Sequence, residues 1–264
     1  VSSDSDFTRL ATRIREGEGR VLKCKSCGLI CLDEESGAQK LREYYEKEYQ
    51  ETNSLVANVR QAVADHFDAR LKTIGSVYRR IQPFLPSCRS ILEVGCGAGE
   101  LLSLVKGEVD HCVGLELNRD YVNFINERLG IEAYAEDLTA MDFKDRRFDL
   151  IISIATLDHL PNPFATLSVM KNLLSPQGRI YIEVPNLEEA LNCCIPEENR
   201  QRYSRFFYHR AHFYYFNRDT IAALFKKAGL QVDVACRHEY TLKNLLHWYF
   251  TGEPQGDFVT AVTE

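Results

Sequence analysis

Apolar and polar positions along this chain follow two different periods. Val63, Phe67, Leu71, Ile74, Tyr78 and Ile81 recur every three or four residues and predict one long amphipathic helix, closed by Pro83 and Pro86. From Ser90 onward, short apolar runs of strand type alternate with helical stretches. The runs begin with Ile91 to Val94, continue with Cys112 to Glu116, Glu132 to Ala135 and Phe148 to Ser153, and end with Arg179 to Val184. Between them, Tyr121, Phe124, Ile125 and Leu129, and later Phe164, Leu167, Met170, Leu173 and Leu174, mark helices with one buried side. Asn118 and Asn217 stand where helices need a cap, and Gly130 and Gly229 where they end. Gln231 to Ala235 alternates like a strand. This rhythm predicts a doubly wound α/β sandwich, with its ligand at the carboxyl ends of the first strands.

The first strand runs into three glycines, Gly95, Gly97 and Gly99, and then into Leu101-Leu102-Ser103-Leu104-Val105, which reads as helix. Glycine permits positive φ and close approach of a ligand to bare amides. The helix start adds unpaired donors at a positive dipole end. A dinucleotide fingerprint requires G-x-G-x-x-G. Here the third glycine comes one position early, and Glu100 occupies the place of the last glycine. Glu93, two residues before Gly95, would repel a pyrophosphate but answers the ammonium end of an amino-acid ligand.

Glu93, Gly95, Gly97 and Gly99 form E-x-G-x-G-x-G, and at this point the chain resembles the class I S-adenosylmethionine-dependent methyltransferases. The resemblance is continuous from about Ser90 to Asn186. It implies a seven-stranded sheet with the last strand antiparallel, S-adenosylmethionine as cofactor and S-adenosylhomocysteine as product. It also implies roles for residues. Glu116, about twenty residues after the glycine loop, accepts from both ribose hydroxyls. Asp137 accepts from the adenine amino group; as a bare residue it reads equally as a loop carboxylate. Cys96, Leu117, Leu138 and Ile154 line the cofactor. Arg70 reaches the carboxylate of the methionine part, although an exposed arginine is the plainer reading. Tyr45, in a segment with Leu41, Tyr44 and Tyr49 at helical spacing, lies over the cofactor or simply packs on the core. The run Leu157-Asp158-His159-Leu160-Pro161 is similar to a family run that usually carries glutamate before the histidine. His159 and then His212 are the candidate catalytic residues, as bases, with a structural imidazole the alternative for each.

Composition narrows the class. The net charge is −6 with both signs interspersed, which argues against a basic nucleic-acid face. No apolar run approaches the ~20 residues of a membrane span, and the polar start carries no signal-peptide pattern. Nine scattered cysteines favour reduced thiols and a cytoplasmic setting. Cys24 and Cys27, followed by Gly28, make half of a zinc ribbon, without a second pair nearby. The segment resembles the end of the zinc ribbon in one methyltransferase group whose members act on sugars, glycans or natural products. Zinc on Cys24 and Cys27 and a metal-free hairpin both stand open, and Cys31 is a third candidate ligand. The domain reading is an N-terminal extension over 1–50, helices over 51–86, the methyltransferase domain over 87–240 and a helical tail over 241–264. Within the domain, 187–216 interrupts the rhythm with aromatics and with His209 and His212, as a lid over an organic acceptor would; a dimer contact or a core-facing helix would look alike. Residues 1–20 read as polar and frayed.

The expected activity is methyl transfer to a small-molecule acceptor. An RNA or protein acceptor is the alternative within enzymes, and a cofactor-binding scaffold without turnover the alternative outside them. A homodimer through the tail is compatible with either.

Overall fold

The computed structural model describes residues 6–15, 17–33, 62–237 and 241–253. They divide into two compact units. One holds 62–157 and 161–184; the other holds 6–15, 17–33, 158–160, 185–237 and 241–253.

The first unit is the α/β sandwich. Helix Val63–Ile81 and a short 3-10 turn, Gln82–Ser87, which takes in both prolines, precede the sheet. The strands are β4 (Ser90–Val94), β5 (His111–Leu115), β6 (Glu132–Tyr134), β7 (Phe148–Ile154) and β8 (Leu174–Glu183), counted after three that belong to the other unit. They lie in the order β6-β5-β4-β7-β8, all parallel. The order reverses at β4, so the switch point of the sheet coincides with the strand that feeds the glycine loop. Helix Val63–Ile81 turns Ile74, Val77 and Ile81 inward onto Ile91, Leu101, Leu102 and Ile125, the dry centre of this unit. Arg80 on that helix forms a two-pronged ion pair with Glu183 at the end of β8, at 2.6 Å on both prongs. Bidentate geometry fixes the helix against the sheet as well as adding attraction.

The sheet has five strands, not the expected seven, among the described residues. Gln231 to Ala235 forms no strand there: its alternate residues are half-covered, yet no neighbouring strand accepts its hydrogen bonds. Helix Arg218–Lys227 before it stands as predicted, with Asn217 and Thr220 in a reciprocal cap.

The second unit has its own antiparallel sheet, β1 (Phe7–Ile14), β2 (Gly17–Cys24), β3 (Ile30–Asp33) and β9 (Tyr214–Tyr215), in that order. Residues 7–14 and 17–20 are therefore paired strand rather than frayed chain. Two register shifts, around Ala11, place inward residues at Phe7, Ala11 and Ile14. That spacing hides the strand from a search for alternation. Helices Ala190–Cys193, Glu197–Phe207, Arg218–Lys227 and Leu242–Thr251 complete the unit. Its core joins Ile14, Val21, Ile30 and Leu32 of the sheet to Leu191, Tyr203, Phe207, Tyr208, Tyr215 and Trp248. The aromatics expected in a lid over 187–216 are thus largely core residues of this unit, the packing alternative that the sequence also allowed. Tyr45 and its neighbouring tyrosines lie outside the described residues.

Tyr203 is 1 % exposed and meets Trp248, the single tryptophan, edge to face at 4.8 Å. Tyr203→Ala removes the wall of that indole and should cost about 3–5 kcal/mol. The expected outcome is a red-shifted Trp248 emission and a lower urea midpoint by fluorescence; an unchanged midpoint would show that this core does not depend on the pair.

Candidate functional site

The cofactor loop is built by backbone geometry. Gly95, Gly97 and Gly99 all take positive φ, at 75°, 55° and 85°. At Gly95 a Cβ would stand 2.2 Å from Oγ1 of Thr156, so any side chain there would push apart the loops that follow β4 and β7. The amides of Gly95 and Cys96 both donate to the Leu115 carbonyl, which pins the loop to the end of β5. Opposite, Ala155 is left-handed at φ 47° although it carries a side chain; its amide donates to the Glu183 carbonyl at 2.8 Å. A left-handed alanine costs on the order of 1–3 kcal/mol and persists because the surrounding structure holds it.

Three carboxylates surround this loop. Glu93 is 4 % exposed inside β4, and its Oε2 has no hydrogen-bond partner among the described residues. Glu100 is 6 % exposed, and its Oε1 likewise has none among those residues. His66 Nε2 stands 3.8 Å from that oxygen, its ring stacked on Tyr121. Burial pushes Glu93 well above the usual carboxylate range, with Glu100 and Glu116 adding repulsion and Arg70 opposing it. Burial likewise raises Glu100 to about 7, again against the pull of Arg70. Arg70 is exposed on its helix, yet its charge acts on both acids. Glu116, just past β5, accepts from the Gly97 amide at 3.1 Å and from the Asn118 amide at 3.0 Å. A carboxylate has about four lone-pair sites, so both oxygens keep capacity for hydroxyl donors. Asp137 uses one oxygen on the Thr139 amide at 2.7 Å, the turn-forming role that the bare sequence also allowed. Cys96 and Leu138 are buried; Leu117 and Ile154 are half-buried at strand ends.

These residues fit the cofactor that the sequence implies. Two buried acid oxygens with no hydrogen-bond donor among the described residues, beside a tight glycine turn, match a ligand with a cationic amino-acid end. Glu100 and His66 are additions that sequence reasoning missed. In the sequence the glutamate reads only as the residue in the last glycine's place, and nothing local signals that a helix some thirty residues upstream brings an imidazole to it.

The second unit gathers the histidines. Asp158 is 1 % exposed, His159 5 %, His209 7 % and His212 9 %. The Phe213 amide donates to the Asp158 carbonyl at 2.9 Å, which ties the two segments together. His212 Nε2 lies 3.1 Å and His159 Nε2 3.5 Å from Asp158 Oδ2. The His159 and His212 rings meet edge to face at 4.5 Å, and His209 lies 3.8 Å from His212. Tyr215 Oη holds the His209 backbone from both sides, accepting from its amide and donating to its carbonyl. Burial lowers His159 to about 4 and His212 well below the ordinary imidazole range, and it raises Asp158 to about 7. Imidazoles that resist protonation are weak general bases near neutral pH. The structure therefore brings the two candidate histidines together but gives them the character of neutral electron-pair donors.

Cys24 and Cys27 flank a tight turn after β2, with Gly28 left-handed and Cys27 exposed. Hydrogen bonds from the Cys27 and Ser26 amides pull the Cys24 thiol down, whereas burial raises Cys31 to about 11. Among the described residues, the one group of three side chains whose ligand atoms come close enough to share an ion is Asp158, His159 and His212; the cysteines do not form one. Among the described residues no helix is long and apolar enough to cross a membrane.

A parallel sheet with its glycine loop at the switch strand, an acid before that loop and another at the end of the next strand define a binding domain of the methyl-donor class. The chain belongs to the methyltransferase-domain family: the family model described as "Methyltransferase domain" matches residues 64–234, more than half of the 264 residues. Among curated proteins it is similar to the C-methyltransferase NovU of Streptomyces niveus, 25% identical over 217 residues, covering 80% of this chain and 46% of that protein. It is also similar to the tRNA (carboxymethyluridine(34)-5-O)-methyltransferase alkbh8 of Xenopus tropicalis, 29% identical over 174 residues, covering 64% of this chain and 24% of that one. The chain thus spans less than half the length of these relatives. A solved SAM-dependent methyltransferase from Archaeoglobus fulgidus shares the fold, with a TM-score of 0.51 at 18% identity over 72% of this chain and 90% of that chain.

Glu100 supplies a pH test. Its carboxyl holds a proton in the folded chain up to about 7, against 4.5 when unperturbed, so between these values the folded state binds the extra proton. The stability it contributes is complete below 4.5 and is lost as pH rises through 7. Glu100→Gln should therefore flatten the decline, leaving the cofactor-free variant up to about 3 kcal/mol more stable than the parent above neutrality. Urea unfolding at acid and alkaline ends of that window checks it, and parallel curves for both proteins would refute it.

Proposed function

We propose that this domain transfers a methyl group from S-adenosylmethionine to an oxygen, nitrogen or carbon of a small-molecule acceptor, such as a sugar, glycan precursor or natural product. The observation that carries the donor half is the pair of buried acids, Glu93 and Glu100, at the glycine turn with the charge of Arg70 acting on both. In this reading Glu93 answers the ammonium of the methionine part, Arg70 its carboxylate, Glu116 the ribose hydroxyls and Asp137 the adenine amino group. Cys96, Leu117, Leu138 and Ile154 supply apolar walls. When bound, the cofactor supplies a sulfonium methyl that is already activated, so the chain's work is to bind, align and exclude water. The small-molecule acceptor is supported by the likeness to NovU, which extends over more of the chain than the family match, and by the net charge of −6. An RNA acceptor is the second reading, supported by the likeness to alkbh8.

Incubation with methyl-labelled S-adenosylmethionine separates these readings. Label should pass to a member of a panel of sugar nucleotides and phenolic or polyketide acceptors, and not to unmodified tRNA. Transfer to tRNA alone would replace the first reading by the second, and tight cofactor binding without any transfer would leave a scaffold. Separately, Glu116→Ala should weaken S-adenosylhomocysteine at least about 100-fold in calorimetric titration, because two charge-assisted hydrogen bonds of ~1.5–3 kcal/mol each are lost. Unchanged affinity would place the ribose elsewhere.

A further inference from the structure

Asp158 poses a hydrogen-bonding problem. Both of its oxygens are buried and have no hydrogen-bond donor among the described residues. Yet His212 Nε2 is only 3.1 Å away and His159 Nε2 only 3.5 Å. The His212 contact is short enough for a hydrogen bond but does not make one. A buried carboxylate left in that state costs several kcal/mol, and each such group in a native fold calls for a reason.

We propose that Asp158, His159 and His212 form a binding site for a divalent transition-metal ion, with zinc the best match to the donor set. All three ligand atoms lie within 4.8 Å of one another. Metal–ligand bonds of about 2.0–2.2 Å in a tetrahedral array separate neighbouring donors by about 3.3 Å, and the two measured separations bracket that value. Two neutral imidazoles and one carboxylate also suit zinc, iron or cobalt better than calcium or magnesium, which prefer oxygen. The backbone is prepared for the task. The Phe213 amide locks the Asp158 carbonyl, the Leu32 amide of β3 donates to the Phe213 carbonyl at 3.0 Å, and the His212 amide donates to the His209 carbonyl at 3.1 Å. Three protein ligands leave one position open, as in catalytic rather than structural zinc sites, for water or an oxygen of an outside molecule. The site is independent of the Cys24/Cys27 knuckle, and it stands whether or not the methyl-transfer reading of the acceptor is right.

The test uses the full chain, stripped with chelator and titrated with Co²⁺. The expected result is one Co²⁺ per chain, visible d–d bands and no thiolate-to-metal charge transfer, with displacement by Zn²⁺. Asp158→Asn and His212→Ala should each lower affinity at least about 100-fold, since even outer partners of a metal site carry 10–100-fold. Cys24→Ser should leave it unchanged. X-ray absorption on the zinc-loaded parent protein needs no variant to fold and should show nitrogen and oxygen ligands only. Failure of the parent chain to take up either metal stoichiometrically, sulfur in the first coordination sphere, or loss of the site in Cys24→Ser with retention in a folded Asp158→Asn would overturn the proposal. S-adenosylhomocysteine affinity, measured on the same preparations, reports on the cofactor loop separately.

Discussion

Glu93 occupies the middle of a parallel sheet, paired with Gly114 on one side and Ile152 on the other, where a valine would be the ordinary occupant. A carboxylate there is stripped of water, and stripping a charge costs several kcal/mol unless a partner replaces the water. The described residues offer Oε2 no donor. The ligand-free fold therefore resists ionising Glu93, and a cation arriving beside it gains the interaction that water has lost. Much of the sandwich follows from this. Gly114 on the neighbouring strand has no room for a side chain, because a Cβ there would sit 2.7 Å from Cys96 Sγ. The turn at Gly95 is tight for the same kind of reason, against Thr156. Glycines at these places let strand and turn backbone approach closely where a side chain would clash.

The other unit handles its acid differently. Asp158 is surrounded by imidazoles inside an aromatic core, where rings supply bulk and ring nitrogens supply lone pairs. Glu93 has no donor among the described residues, whereas Asp158 faces two imidazole nitrogens. Both units thus bury an acid where a hydrophobic residue would be more stabilising.

How much of this could be read in advance depended on whether the signal was local. The helix Val63–Ile81, the first four parallel strands and the glycine turn each announce themselves within a few residues, by period or by glycine, and the structure has them close to where the pattern put them; the fifth strand instead begins at Leu174, five residues before the expected Arg179 and on a residue the period assigned to the preceding helix. Strand pairing is not local. Gln231 to Ala235 alternates correctly but finds no partner among the described residues, whereas Phe7–Ile14 pairs fully although its bulges blur the alternation. Glu100 joined the site through its reach back over Gly97, where its Oε2 lies 3.2 Å from the position a Cβ would take, and through His66 on a distant helix. Asp158 and His212 are more than fifty positions apart; only the closed fold, through the Phe213–Asp158 hydrogen bond, shows that they share a centre.

The choice of aspartate over glutamate at position 158 then acquires a geometric meaning. A glutamate has one more methylene, about 1.5 Å of extra reach. Asp158 Oδ2 already lies 3.1 Å and 3.5 Å from its two imidazole nitrogens. The longer side chain, extended from the same backbone, would drive its oxygens into those rings, or would have to fold back and turn its carboxylate away. The backbone cannot retreat to make room, since the Phe213 amide holds the carbonyl of residue 158 in place. The short side chain is therefore what allows one carboxylate oxygen to face two nitrogens at donor–donor spacing. Restoring glutamate at that position would separate a site that needs convergence on a common ion from one in which the acid only orients a single histidine: the first geometry would be lost, and the second could be kept by a change of rotamer.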